Sequence, residues 1–263
     1  MQASFEYQTP ASVADAVAAA AAGAMLLAGG QSLLASMKLG LAAPEVLADI
    51  TGIASLSGIT VANGVVRIGA ATTHATVAAS AEVQQAIPAL ADLAGRIGDR
   101  QVRNRGTLGG SLANNDPAAC YPAAVLGLGA TVHTDRRDIA ADDFFQGLYQ
   151  TALAEDEVIT AVSFPVPDKA GWQKFKQPAS RFSLIGVFVS QGPQGVRVAV
   201  TGGGSGVFRV GSLESKLAAN WSAEALAGAS VGTDGLNSDL HASAEYRAAM
   251  IPVLAARAVS SVS

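Results

Sequence analysis

Hydrophobic and polar positions alternate between two periods along this chain, and that switching predicts a mixed helix and sheet protein. The run "TPASVADAVAAAA" predicts a helix: Thr9 or Ser12 is placed to cap its N-terminus, a proline stands near its start, and alanines carry it to Gly23. "AMLLAGG" then reads as a short buried strand running into a glycine turn, "SLLASMKLGLA" as a short helix or irregular turn, and "PEVLADI" as a second strand. "GITVANGVVRIGA" alternates with period two about Asn63-Gly64, the signature of a tight hairpin. Thr76 to Gly95 is helical in pattern apart from Pro88, and Ala123 to His133 reads as a helix or buried segment followed by a strand. "EVITAVSFPVP" is strand-like until its prolines end it. Asp168 to Gly171 marks a boundary, beyond which "SLIGVFVS" and "GVRVAVTGGG" alternate as antiparallel strands, while "SAEALAGAS" and "SAEYRAAMIPVLAARAVSSV" read as helices.

Composition narrows the class. Half of the 263 residues are hydrophobic, yet no apolar stretch reaches the roughly 20 residues that cross a bilayer. The N-terminus lacks a basic start, an apolar run and a cleavage site, so a cytoplasmic location is expected. A net charge of −4 without a basic stripe argues against nucleic acid. The single cysteine, Cys120, excludes an internal disulfide and any all-cysteine metal or iron–sulfur site built from this chain alone. With 14 % charged residues, polar side chains are few for covering a lone globule, which fits either burial against other chains or a plain alanine bias.

Two glycine-rich segments carry the candidate chemistry. The first is "LLAGGQSLLASMKLG" and the second "NRGTLGGSLANNDPAACYPAA". Small residues there leave backbone N–H groups free to converge on a phosphate, and two such loops can close around one pyrophosphate. Neither is a P-loop or a Rossmann dinucleotide fingerprint, and either alone is more readily a structural turn. No Ser-His-Asp order, zinc-ligand motif or paired carboxylates point to another chemistry.

The words "LLAGGQSLLASMKLGLAAPEVLADI", "IGAATTHATV", "IGDRQVRNRGTLGGSLANNDPAA", "EVITAVSFP" and "FKQPASRFSLIGVFV" cover most of the chain in order. In them it resembles the FAD-binding medium subunits of molybdenum hydroxylases, the family of aerobic carbon monoxide dehydrogenase and xanthine dehydrogenase. The resemblance implies an α+β fold of the vanillyl-alcohol oxidase type. Residues 1–168 would form an FAD-binding domain with subdomains of about 1–53 and 54–168, and 169–263 a C-terminal α+β domain built on an antiparallel sheet. It implies that Leu26, Leu27, Ala28, Gly29, Gly30, Gln31, Ser32 and Leu33 wrap the cofactor's pyrophosphate, with Thr107, Gly109, Gly110 and Ser111 approaching from the other side. Ile97 and Ile159 would be apolar neighbours of the flavin, and Lys176 a lysine approaching it. Cys120 stands where many relatives carry an aspartate; Asp116 or Asn114 could supply the missing carboxylate or polar contact, and the thiol itself reads as a small buried filler. Gln31 stands in a loop where covalently flavinylated proteins of the broader fold often have histidine, so dissociable FAD is expected.

By the same resemblance the chain is an oxidoreductase subunit. It would pass electrons from [2Fe-2S] clusters on a small partner subunit through FAD to an external acceptor, while a large subunit holds the molybdenum cofactor. The expected assembly is a dimer of heterotrimers, a heterohexamer. An alternative is a self-sufficient flavin reductase or oxidase, for which Ser183 and Tyr149 are the candidate acid or base. A third reading is an interaction module whose glycine turns are only structural. His74 lies outside the expected site, and Arg96, Arg100, Arg103 and Arg105 form either a solvated face or a docking patch for an acidic partner.

Overall fold

The computed structural model describes residues 4–262. The first region is a parallel three-stranded sheet. Its elements are β1 (Glu6–Gln8), α1 (Val13–Ala21), β2 (Met25–Leu27), α2 (Leu33–Lys38) and β3 (Val46–Asp49), with strand order β1-β3-β2. Parallel neighbours need crossover connections, which α1 and α2 supply. Of the two candidate caps, Ser12 is the one used: Asp15 N donates to its Oγ at 3.1 Å. The apolar side of this layer packs Ala16, Ile50, Ile53 and Leu56 together.

The second region is built on an antiparallel five-stranded sheet of order β4-β5-β10-β6-β7: β4 (Ile59–Ala62), β5 (Val65–Gly69), β6 (Thr131–Thr134), β7 (Asp138–Ala140) and β10 (Ile159–Pro165). The β4-β5 hairpin turns at Asn63 and Gly64, both with positive φ, as its sequence requires. Between β5 and β6 run α3 (His74–Ala79), α4 (Ala81–Ala86), α5 (Pro88–Gly95), α6 (Arg100–Arg105), α7 (Leu108–Asn114) and α8 (Tyr121–Gly127). Pro88 is not a break inside one helix but the first residue of α5, where its missing N–H costs nothing. A small flap of α9 (Ala141–Phe144), β8 (Phe145–Gly147) and β9 (Gln150–Thr151) precedes β10. Asn115, with φ 43°, ends α7, and its Nδ2 ties the flap down through the carbonyls of Gly147 at 2.9 Å and Gln150 at 2.7 Å.

The third region is an antiparallel sheet of β11 (Lys169–Lys176), β12 (Ser183–Gly192), β13 (Gly195–Thr201) and β14 (Phe208–Arg209), in that order, with α10 (Gly211–Ala219) and α11 (Ala244–Ser260). Every residue of β12 from Ser183 to Ser190 is buried, because both faces of the sheet are covered. Ile185, Val187 and Val189 face Leu213, Leu217, Ile251 and Leu254 of the two helices. Phe188, with Trp172 and Ala199, points the other way into the core that also holds Tyr121, Val125, Val132, Val162 and Phe164. Arg197 reinforces this junction: its Nε donates to the Leu126 carbonyl at 2.8 Å, and its Nη2 holds both Asp142 oxygens at 2.6 and 2.7 Å.

The structure corrects two readings of the pattern. "SAEALAGAS" forms only a single 3-10 turn at Glu224–Leu226 rather than a helix. The glycine-rich second segment, read as a loop, contains α7, capped by Thr107, whose Oγ1 accepts from Gly110 N.

Candidate functional site

A cleft of about 620 Å³ opens where the three regions meet. Its first wall is the turn after β2. Gly30 takes a left-handed φ of 72°, a conformation that favours glycine, and the chain then enters α2. The amides of Gly29, Gly30, Gln31 and Ser32 have no hydrogen-bond acceptor among the described residues. Consecutive free donors on a cleft wall at the start of a helix suit an acceptor with several oxygens.

The opposite wall is the α6-α7 turn, and the two glycine segments touch. A Cβ on Gly29 would overlap the Arg105 carbonyl and lie 2.7 Å from the Gly106 Cα, so only glycine allows that approach. This second wall works differently from the sequence expectation. Leu108 N donates to Thr72 O at 3.1 Å, Gly109 N to Ala70 O at 2.8 Å, Gly110 N to Thr107 Oγ1 at 3.2 Å and Ser111 N to Thr107 O at 3.1 Å. Those amides hold the turn against the end of β5, and Gly109 is glycine because a Cβ would strike Ala70 at 2.6 Å. What the segment offers the cleft is small surface and two hydroxyl groups, those of Thr107 and Ser111. One wall therefore supplies backbone donors and the other hydroxyls.

Of the residues singled out from the sequence, Leu26 to Leu33, Ile97, Thr107, Gly109, Gly110, Ser111, Cys120 and Ile159 all line this cleft. Lys176 does not. It is exposed near the end of β11, past a bulge between Phe175 and Lys176, and Lys174 lines the cleft instead. The Lys174 ammonium donates to Arg96 O and to Cys120 Sγ, each at 3.2 Å, and pairs with no carboxylate among the described residues. Asn114 and Asp116 also reach the cleft, and Asp116 Oδ1 accepts from Ala118 N at 2.8 Å. Ser183 and Tyr149 are outside its lining; Ser183 is buried with its Oγ 3.5 Å from Cys120 Sγ, and Tyr149 is exposed.

Pattern reading weighed His74 and left it outside the site, and it missed Glu157, Arg181 and Phe182; all four border the cleft. Glu157 is 5 % exposed, and bonds from Arg137 pull its carboxyl down to about 2 against the opposing effect of burial. The arginine cluster divides. Arg96 pairs with Asp92 at 3.1 Å, Arg103 donates to the carbonyls of Ile97 at 3.0 Å and Gly98 at 3.2 Å, and Arg100 and Arg105 are exposed.

Residues 3–167 match the family model for the FAD binding domain in molybdopterin dehydrogenase. This chain belongs to that family. It is 37 % identical over 269 residues to the nicotine 6-hydroxylase medium subunit of Paenarthrobacter nicotinovorans, covering 96 % of this chain and 95 % of that one. It is 36 % identical over 275 residues to the carbon monoxide dehydrogenase medium chain of Hydrogenophaga pseudoflava, covering 97 % and 96 %. A solved structure of reconstituted CO dehydrogenase from Oligotropha carboxidovorans superimposes with a TM-score of 0.89 at 31 % identity, over 99 % of this chain and 98 % of that one. The α+β, FAD-binding architecture expected of this family is the one observed, and the chain is an oxidoreductase flavoprotein subunit of the molybdenum hydroxylase family. The residues present suit FAD: free amides and hydroxyls for a diphosphate, an unpaired ammonium, and apolar walls from Ile97 and Ile159 for a planar ring system.

Proposed function

We propose that this chain is the medium subunit of a three-subunit molybdenum enzyme and holds FAD non-covalently in the cleft between its three regions. The observation that carries the reading is the run of free amides from Gly29 to Ser32 facing the Thr107 and Ser111 hydroxyls across a seam that only glycine can form. In this reading Ala28 to Ser32 grip the diphosphate and Leu26, Leu27 and Leu33 hold the turn. Gly109 and Gly110 keep the opposite wall low, and Ile97, Cys120 and Ile159 border the flavin. Lys174 takes the role that the family resemblance gave to Lys176: its ammonium faces the charge gained by the cofactor on reduction.

Bound FAD supplies the redox chemistry, exchanging electrons between iron–sulfur clusters of a small partner and an external acceptor. The residues of this chain bind it, orient it and set its electrostatic surroundings. A large partner holds the molybdenum cofactor, the complex is a dimer of heterotrimers, and it works in the cytoplasm. Among the described residues no group of three or more His, Cys, Asp or Glu side chains could hold a metal, and no helix is long and apolar enough to cross a membrane.

Purification from the native source, with an absorption spectrum and identification of accompanying chains, tests this reading. Flavin and iron–sulfur bands with two further polypeptides are expected. A single flavin-free chain would overturn it.

A further inference from the structure

His74 opens α3 beside the seam between the two glycine segments. Its backbone N–H donates to Gly106 O at 2.9 Å, its side chain is part of the cleft lining, and the residue is only 5 % exposed. The ring edge carrying Nε2 lies against Gly106, where a Cβ would sit 2.5 Å from that nitrogen. Gly106 is also the residue that Gly29 abuts. The ring thus reaches the place where the two segments meet. On its other side, Nδ1 is buried and has no hydrogen-bond partner among the described residues. The ring also packs on Tyr121, with ring centroids 5.2 Å apart and no hydrogen bond between the two side chains.

Burial first, and the Arg103 guanidinium second, push the imidazole down to about 4, so the ring is neutral at neutral pH. A neutral imidazole carries one N–H. Placed on Nδ1, it would be a buried donor with nothing to accept it, which proteins avoid more strictly than an unused acceptor. Placed on Nε2, it stands at the seam.

We infer that His74 is a further cofactor-holding residue, its Nε2–H donating to a diphosphate oxygen of the dinucleotide at the junction of the two glycine segments. This rests on the reading of the cleft as an FAD site. It adds a side-chain donor to a grip otherwise made of amides and hydroxyls.

The test uses the full-length deflavinated chain, titrated with FAD and with ADP, which carries the same diphosphate without the flavin. His74→Leu keeps apolar bulk and removes the donor, while His74→Gln returns an N–H near the Nε2 position. With fold and thermal midpoint checked, His74→Leu is expected to weaken both ligands about tenfold or more, as for loss of a bond to a charged acceptor, and His74→Gln to stay within about threefold. A folded His74→Leu that binds ADP like the parent overturns the inference, and so does a His74→Gln as weak as the leucine variant, which would mean ring packing. Should the leucine variant not fold, nitrogen-15 labelled histidine in the parent protein decides. A proton on Nε2 and an Nε2 resonance that moves on ADP addition are expected; a proton on Nδ1, or no response, overturns it. A parent chain that binds neither FAD nor ADP removes the FAD reading and this inference together, whereas parent binding with a normal His74→Leu removes this inference alone.

Discussion

Lys174 Nζ lies 3.2 Å from Cys120 Sγ, joining the strand that opens the third region to the start of α8 in the second. Cys120 alone reads as a filler because no cation is near it in sequence; the cation comes from 54 residues away. A half-buried ammonium without a carboxylate is a group prepared for an anionic neighbour. Lys174→Met is therefore expected to lower the reduction potential of bound flavin and weaken its retention, and Lys176→Met to leave both near the parent values. Redox titration of the two variants measures this, and equal effects would return the role to Lys176.

Gly29→Ala introduces a Cβ that overlaps the Arg105 carbonyl. Separation of the two walls, at about 1–3 kcal/mol of overpacking, is the expected result, with loss of FAD uptake. A parent-like thermal midpoint and flavin content would show that the walls do not need this contact.

Gln31 has no nucleophilic side chain, so FAD should be released intact when the protein is denatured in acid. Flavin found in the supernatant confirms a dissociable cofactor. Flavin remaining on a peptide would contradict it and direct attention to His74, which is the histidine that borders the cleft.

Glu157 accepts from Arg137 Nε at 2.8 Å, Arg137 Nη2 at 2.8 Å, Thr134 Oγ1 at 2.8 Å and Ala154 N at 3.0 Å. These bonds bring its folded carboxyl from 4.5 to about 2. A depressed carboxylate stabilises the fold above its unfolded value and loses that contribution as pH falls through the folded one. Glu157→Gln should therefore cost about 1–3 kcal/mol at neutral pH. The difference from the parent should shrink between pH 4.5 and about 2 in denaturant melts. A pH-independent difference would assign the loss to shape rather than charge.

The hairpin at Asn63-Gly64, the paired strands β12 and β13, and the long α11 were legible because period and turn chemistry agree there. The glycine segments were legible as words, and their residues do line one cleft. Three things were hidden. Free amides could not be told from engaged ones: Gly109 and Gly30 look alike in sequence, and only the packing of α7 against Ala70 separates them. Lys174 and Lys176 lie two residues apart on one strand, so which of them reaches the cleft depends on where a bulge ends its wall. His74 gave no periodic signal, since its burial comes from the meeting of α3 with the α6-α7 turn.

Phe188, Trp172 and Ala199 fill the same core as Tyr121 and Phe164. The matched family segment, 3–167, is thus not a detachable module. A fragment ending there would leave a sticky flank where β12 should lie. It would be expected to clump on expression, and fusions or truncations meant to isolate the nucleotide-binding part should retain the last helix.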